Sequence, residues 1–170
     1  MKREAVEVIC GNGAGKTSLA LGKGITALTE QKTVIVIQFL KGNQKREGWN
    51  ILKRLEPEFK LFRFEKGNAF FDTLTEEEKN EELLNIKNGF NFAKKVIATG
   101  ECDLLILDEV LGIIDQNIIS IEEFEKLVSA KEDEMGLILT GKVFPEKLRP
   151  YIDSISTIDH INIDKLRQEC

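Results

Sequence analysis

The chain has 170 residues, of which 42% are hydrophobic and 31% are charged, so it can bury a core and is not a disordered or low-complexity sequence. Its formal net charge of −5 argues against the basic surface that duplex nucleic-acid binders present. The apolar runs fall far short of the roughly 20 residues that span a bilayer, and the N-terminus has no apolar signal region. The three cysteines form no CxxC pair. We therefore expect a cytoplasmic protein without disulfides or a zinc site, with neither nucleic acid nor membrane as a partner.

Predicted strands alternate with predicted helices along the chain. In chain order the patterns indicate a strand at 4–10, a helix at 16–30, a strand at 33–39, a helix near 49–55, a strand at 60–64 and a helix at 75–99. They continue with a strand at 104–107, a helix from a capping box at Ser120 to about residue 131, a strand at 136–140, a short helix from Pro145 and a strand at 152–158. This alternation predicts a single α/β domain over residues 1–170, with a mostly parallel sheet and helices on both faces.

A glycine-rich segment between the first strand and the first helix is the strongest functional signal. It reads Gly11, Asn12, Gly13, Ala14, Gly15, Lys16, Thr17 and Ser18. Glycines let backbone N–H groups turn towards an anion, and the helix N-terminus adds partial positive charge. In the P-loop NTPase pattern, Lys16 would contact phosphate oxygens and Thr17 would offer its hydroxyl to Mg²⁺. Cys10 stands where the standard pattern has Gly, and the alternative is a plain glycine-rich turn.

Acidic and basic residues follow other strands at the same predicted edge. Asp108 and Glu109 end an apolar strand, and open α/β sheets bind ligands at the carboxyl ends of their strands. Either carboxylate would hold Mg²⁺ directly or through water; the alternative is a pair of helix N-cap acids. The turns 38–42, which contains Lys41, and 140–142 each bring a lysine to this edge, or are ordinary turns.

Residues for acid–base or nucleophilic catalysis are scarce. His160 is the single histidine and is expected at the surface, and Cys10 is expected to pack under the glycine loop. Arginine supplies only six of the 24 basic residues, whereas nucleotide kinases clamp the transferring phosphoryl group with several. The composition therefore favours a reaction whose nucleophile is carried by the second substrate.

Five motifs occur in a characteristic order. They are GNGAGKTS at 11–18, QFLKG at 38–42 followed by Glu47, GNAFFDT at 67–73, DLLILDE at 103–109 and LTGKVFPEKL at 139–148. Together they resemble the P-loop family of ATP:corrinoid adenosyltransferases over about residues 5–160. The family loop also lacks the upstream glycine, which accounts for Cys10.

The resemblance implies a parallel α/β fold, a homodimer, and transfer of the 5′-deoxyadenosyl group of ATP to cobalt(I) of a reduced corrinoid, with release of triphosphate. It also implies Mg²⁺ or Mn²⁺ and a flavoprotein reductant. Carried over by motif, residues 11–18 and Lys41 would hold the phosphates, while Lys16, Thr17 and Glu109 would be catalytic. Thr17 and Glu109 would hold the metal with Asp108 assisting, and Phe70 and Phe71 would contact the corrinoid.

The chain departs from the family pattern at three places. Ala14 replaces a common lysine, the 67–73 loop has Phe71 where the family has Trp, and Asp159 precedes His160 where a lysine is usual. We expect the loop to order over the corrinoid; alternatively, its two phenylalanines fill the core. Two other functions stay open, a non-catalytic nucleotide- or corrinoid-binding relative and a small-molecule kinase or NTPase.

Overall fold

The protein is built on a six-stranded sheet in which all adjacent strands are parallel. The computed structural model describes residues 3–40, 46–64 and 73–164, with the backbone alone at 46–49. The strands are β1 (Val6–Cys10), β2 (Val34–Gln38), β3 (Phe59–Arg63), β4 (Leu104–Asp108), β5 (Gly136–Thr140) and β6 (Ser154–Thr157). Their order across the sheet is β3-β2-β4-β5-β1-β6. The predicted parallel α/β architecture is confirmed.

Helices connect successive strands. The α-helices are α1 (Lys16–Thr29), α2 (Glu76–Thr99), α3 (Val110–Asp115) and α4 (Ile121–Ser129), and 3₁₀ helices cover Arg46–Leu55 and Glu146–Tyr151. The glycine loop thus joins β1 to α1, and the acidic pair lies at the junction of β4 and α3. Since β5 is the strand between β1 and β4, these two segments are separated by one strand at the same edge.

The sheet buries both of its faces, which explains why its strands lack polar alternation. In β2, Val34 and Val36 belong to the apolar cluster that includes α1, whereas Ile35 and Ile37 belong to the cluster formed by α2, α3 and α4. Successive side chains of a strand point to opposite faces, so the two clusters are the two sides of one sheet. Helices on both faces follow from this division.

Two helices begin with the capping box that their sequences predict. Thr75 and Ser120 each accept a hydrogen bond from the backbone N–H of the third helical residue, Glu78 or Glu123. Each glutamate in return accepts from the backbone N–H of its cap. Because these hydrogen bonds favour the ionised carboxylates, they lower the pKa of Glu78 and of Glu123.

The structure corrects the sequence prediction at three helices and one strand. Helix α3 was not predicted, because its six residues are too few to display a helical period. The helices predicted near 49–55 and from Pro145 are both 3₁₀ helices, at Arg46–Leu55 and Glu146–Tyr151, and the second contains Pro150, which has no N–H to donate. The last strand is shorter than predicted and covers only Ser154–Thr157.

Candidate functional site

The glycine loop ends in a backbone conformation that only glycine adopts readily. Gly15 has φ 104° and is the N-cap of α1, and as a glycine it has no side chain that could cap the helix. The N–H groups of a first helical turn have no carbonyl partner within their own helix. They therefore face the edge of the sheet as donors, and the positive end of the helix dipole adds to their attraction for an anion.

The other two glycines are required by close packing against the chain that follows β6. A Cβ atom at Gly11 would lie 2.4 Å from the carbonyl oxygen of Ile158, and one at Gly13 would lie 2.8 Å from the same oxygen. The Gly13 N–H donates to that carbonyl at 2.9 Å, and the Gly11 N–H donates to the carbonyl of Lys142 at 3.0 Å. The loop is therefore held in shape by protein carbonyls on its outer side.

Lys16 is held inside this loop. Its side chain is only 8% exposed, and Nζ donates to the carbonyl oxygen of Gly13 at 2.8 Å. The ammonium group thus lies where the loop bends towards the helix N-terminus, and the acceptor of this hydrogen bond is a neutral carbonyl. An anionic oxygen is a stronger acceptor for this charge.

A fully buried carboxylate lies at the end of β4, beside the loop. The Thr17 hydroxyl lies 3.0 Å from both carboxylate oxygens of Asp108. The Thr140 hydroxyl donates to Oδ1 at 2.7 Å, and the Gln38 amide nitrogen donates to Oδ2 at 3.1 Å. Asp108 is completely buried. Gln38 and Thr140 end the two strands on either side of β4, and Thr17 lies at the start of α1. Burying a charge is tolerable only when such donors compensate it.

Glu109 occupies a strained position at the start of α3. It has φ 62°, and its backbone N–H donates to the Thr140 hydroxyl at 2.8 Å. Its side chain makes no capping hydrogen bond to α3, all of whose residues are described, so the alternative of an ordinary N-cap acid is not supported for Glu109. Strained φ values in non-glycine residues cluster at functional sites.

The sequence as a whole matches a known family. The family model described as ATP:corrinoid adenosyltransferase BtuR/CobO/CobP matches residues 2–165. The chain belongs to the ATP:corrinoid adenosyltransferase family. Adenosyltransferases of this family use ATP and a corrinoid, and the chain is a transferase that moves the adenosyl group of ATP to a corrinoid. The family predicted from the motifs is confirmed.

Curated relatives agree with this assignment. The chain is 26% identical over 157 residues to the corrinoid adenosyltransferase of Escherichia coli strain K12, which covers 92% of this chain and 77% of that protein. It is 26% identical over 161 residues to the corrinoid adenosyltransferase CobA of Salmonella typhimurium strain LT2, with the same coverage of 92% and 77%. An uncharacterized protein of Nostoc sp. is 28% identical over 162 residues, covering 87% of this chain and 42% of that protein.

Most of the predicted site residues of this adenosyltransferase are brought together at one edge of the sheet. Lys16, Thr17 and Asp108 are linked as described above, and Glu109 adjoins them through Thr140. In the loop, Asn12, Ala14 and Ser18 are exposed. Three predicted contacts, Lys41, Phe70 and Phe71, lie outside the described residues. The predicted lid over 67–73 also lies outside them, apart from Thr73.

Sequence reasoning missed three contributors to the adenosyltransferase site. Gln38 was noted only as part of a motif, Thr140 only as part of a turn, and the Ile158 carbonyl was not considered. For Gln38 and Thr140 a signal existed, since each is a polar residue ending a buried apolar strand and is itself buried. Cys10 is buried under the loop, with Sγ 4.0 Å from the Thr157 hydroxyl oxygen, which agrees with the packing role predicted for it.

The oxygen donors at this edge suit Mg²⁺ better than a softer metal. Thr17, Asp108 and Glu109 offer a hydroxyl and carboxylates, the ligand types of a cation that keeps several waters and binds substrate phosphates. Within residues 3–40, 46–64 and 73–164, no group of three or more His, Cys, Asp or Glu side chains is arranged to hold a metal by itself. No described helix has the length and apolar character needed to cross a membrane.

Proposed function

We propose that the chain transfers the 5′-deoxyadenosyl group of ATP to cobalt(I) of a reduced corrinoid and releases inorganic triphosphate. The observation that carries the proposal is the contact between the glycine loop and the Asp108 carboxylate. Lys16 is buried inside the glycine loop, and the next residue, Thr17, is hydrogen-bonded at 3.0 Å to the buried Asp108. A phosphate-binding cation and a metal-side carboxylate therefore meet at one sheet edge.

The triphosphate would bind at the N-terminus of α1. Lys16 would exchange its bond to the Gly13 carbonyl for one to a phosphate oxygen, and this exchange is favourable because an anionic oxygen is a stronger acceptor for the ammonium group than a neutral carbonyl. The N–H groups of the first helical turn would supply further donors. Lys41 is proposed as an additional phosphate contact, on its place in the sequence motif.

Mg²⁺ is proposed to lie between the triphosphate, Thr17 and Glu109, and Mn²⁺ would suit the same oxygen ligands. The Thr17 hydroxyl donates its hydrogen to Asp108 and would offer its oxygen to the cation. Asp108 would act through Thr17 and through bound water. When bound, the ion neutralises charge on the leaving triphosphate.

The protein need not provide a nucleophile for this reaction. Cobalt(I) donates an electron pair to C5′ as the cobalt–carbon bond forms, and the C5′–O bond breaks with its electron pair going to the triphosphate oxygen. The protein's task is to hold C5′ in line with cobalt and to stabilise the leaving group. Phe70 and Phe71 are proposed to lie against the corrinoid, on their place in the motif at 67–73.

The finer properties of the enzyme are proposed on weaker support. We propose a single nucleotide-binding domain over residues 1–170, a homodimer, a flavoprotein as the source of the electron, and a cytoplasmic location. The family resemblance supports the homodimer and the reductant. The described cysteines support a reducing compartment, since Cys10 and Cys102 are free thiols, and burial raises the pKa of Cys102 to about 12.

Product analysis tests the reaction. The protein is incubated with ATP, Mg²⁺ and chemically reduced cobalamin, and the visible spectrum is followed for the cobalt–carbon bond while the nucleotide products are separated. We expect adenosylated corrinoid and triphosphate in equal amounts, with little ADP, and almost no consumption of ATP when the corrinoid is omitted.

Two results would overturn the proposal. Steady formation of ADP without any corrinoid would mean that a P–O bond is broken, as in a kinase or NTPase. Binding of ATP without either product, in the presence of reduced corrinoid, would favour a non-catalytic relative. The Lys16→Ala variant is the control that assigns any product to this site.

A further inference from the structure

Three side chains form a continuous row across the sheet beside the site. Gln38 ends β2, and its register partners in the neighbouring strands are Arg63 of β3 and Asp108 of β4. Arg63 Nε donates to Gln38 Oε1 at 2.8 Å, and Gln38 Nε2 donates to Asp108 Oδ2 at 3.1 Å. The row thus runs from an edge strand to a buried carboxylate in the interior of the sheet.

The chemistry of the row fixes the direction of every bond in it. A guanidinium group can only donate hydrogen bonds, so the amide oxygen of Gln38 must face Arg63. The amide nitrogen of Gln38 then has to face Asp108, where a carboxylate oxygen accepts from it. Without Arg63 the carboxylate would still favour the amide nitrogen, but the amide oxygen would lose a charged donor and the amide would be held less firmly.

The orientation of the Asp108 carboxylate matters because it also accepts a hydrogen bond from Thr17, the proposed metal ligand. Its carboxylate accepts from Gln38 and Thr140 on the protein side and from Thr17 on the loop side. The bonds from Gln38 and Thr140 thus hold the Asp108 carboxylate in the orientation in which it also accepts from the Thr17 hydroxyl. A hydroxyl that donates its hydrogen to Asp108 can turn its oxygen towards a cation, and this is the role assigned to Thr17.

We propose that Gln38 is a positioning residue that fixes the Asp108 carboxylate for Mg²⁺–ATP binding, and that Arg63 acts through Gln38 by donating to its amide oxygen and holding the amide in place. This inference rests on the proposed function, since it assigns Thr17 and Asp108 to the metal side of the triphosphate. It adds to the site a positively charged residue that acts without touching the substrate.

The test is a double-mutant cycle read by calorimetry of ATP binding to the full chain, in Mg²⁺ and in excess chelator. The variants are Gln38→Met, Arg63→Met and the double variant, with Lys60→Met as the matched control, because Lys60 is an exposed cation on the same strand. In Mg²⁺ we expect each single variant to weaken ATP binding by roughly 3- to 10-fold. The double variant should be no weaker than Gln38→Met within about twofold, and the control should bind normally.

The proposal that Arg63 acts through Gln38 is overturned if the double variant loses ATP affinity by the product of the two single-variant factors. Arg63 would then act on ATP binding independently of Gln38. The role in metal orientation is overturned if ATP binding weakens equally in chelator, as it would for a merely structural defect. Where the buried Gln38→Met variant does not fold, the pair Arg63→Met and Arg63→Lys replaces it. Lysine keeps a donor for Gln38 Oε1 and should restore binding, whereas wild-type binding by both variants refutes the proposal.

These outcomes are separate from the test of the reaction. The cycle measures nucleotide binding in the absence of corrinoid, while the product assay is made on the unaltered chain. A chain that forms ADP would refute the proposed function and leave the coupling between Gln38 and Arg63 to be judged by the cycle alone.

Discussion

Gly13 is expected to resist substitution because of the chain behind the loop. In Gly13→Ala the new Cβ would lie 2.8 Å from the Ile158 carbonyl oxygen and 2.9 Å from the Asp159 carbonyl carbon, both below the 3.0 Å that Cβ atoms respect. Both are backbone atoms, so the loop and the segment after β6 must separate by several tenths of an ångström. The hydrogen bond from Gly13 N–H to Ile158, now 2.9 Å, would weaken as they part.

The magnitude follows from these two effects. Forcing an extra methyl group into a packed contact costs about 1–3 kcal/mol, and the loss of one backbone hydrogen bond costs about 1 kcal/mol. We therefore expect Gly13→Ala to lower the free energy of unfolding by about 2–4 kcal/mol. ATP affinity should fall too, because Lys16 is bonded to the Gly13 carbonyl and moves with it.

Two other glycines serve as matched controls. At Gly15 no heavy atom of the described chain lies within 4 Å of the new Cβ, so Gly15→Ala meets only the strain of φ 104°, about 1–3 kcal/mol. At Gly22, inside α1, no described atom lies within 4 Å either and the helical backbone accepts alanine. Gly22→Ala should therefore raise the free energy of unfolding by about 1 kcal/mol.

Urea unfolding gives the stability of each variant, and calorimetry gives its affinity for ATP. We expect Gly22→Ala to be more stable than the wild type with unchanged affinity, and both loop variants to lose stability and affinity. A Gly13→Ala variant as stable as the wild type, with the same affinity, would refute the argument that packing against Ile158 and Asp159 requires this glycine.

Four further outcomes follow from the described contacts. Lys16→Ala should weaken ATP binding by roughly 10- to 100-fold, the value of a charge-assisted bond, as measured by calorimetry. Glu109→Gln should leave thermal unfolding unchanged but lower turnover when Mg²⁺ is limiting, and equal turnover would make this acid structural. Thr140→Val removes the hydroxyl between Asp108 and the Glu109 N–H and should cost about 2–4 kcal/mol in unfolding free energy, whereas Thr140→Ser keeps the hydroxyl and should cost about 1 kcal/mol. Glu78 and Glu123 have lowered pKa values when folded, so the stability they add is present above the ordinary value of 4.5 and is lost as the pH falls through the folded pKa. The double Gln variant should accordingly show a flatter loss of stability in acid, and an unchanged acid profile would contradict this.

Local signals in the sequence were sufficient for most of the fold. The capping box at Ser120 placed helix α4, and apolar patterns placed the long helix α2 and the central strands, each within a few residues of its observed bounds. Helix α3 was missed because six residues complete fewer than two turns, so apolar spacing cannot distinguish it from a strand end.

The site was only partly predictable because its shape depends on register. Lys16, Thr17 and Asp108 could be found because their types and spacing are local to single motifs. Gln38 and Thr140 donate to Asp108 from the two strands that flank β4. The register between strands decides which residues lie side by side, and no local sequence pattern predicts that register. For Gly13 the sequence predicted a backbone N–H turned towards an anion, whereas in the structure this N–H donates to the Ile158 carbonyl behind the loop.

The last strand therefore belongs to the nucleotide site although it carries none of the motif residues. β6 is an edge strand whose four residues are exposed and which pairs with β1 alone. Directly after it, the Ile158 N–H donates to the Cys10 carbonyl and the Ile158 carbonyl accepts from the Gly13 N–H. One residue is therefore hydrogen-bonded both to the end of β1 and to the glycine loop. If the loop binds ATP only in this shape, fraying of β6 must weaken binding, and by reciprocity bound ATP must oppose the fraying. The least buried of the described strands thus ends beside the residue that is hydrogen-bonded to Cys10 and Gly13, which couples its stability to that of the proposed phosphate-binding loop.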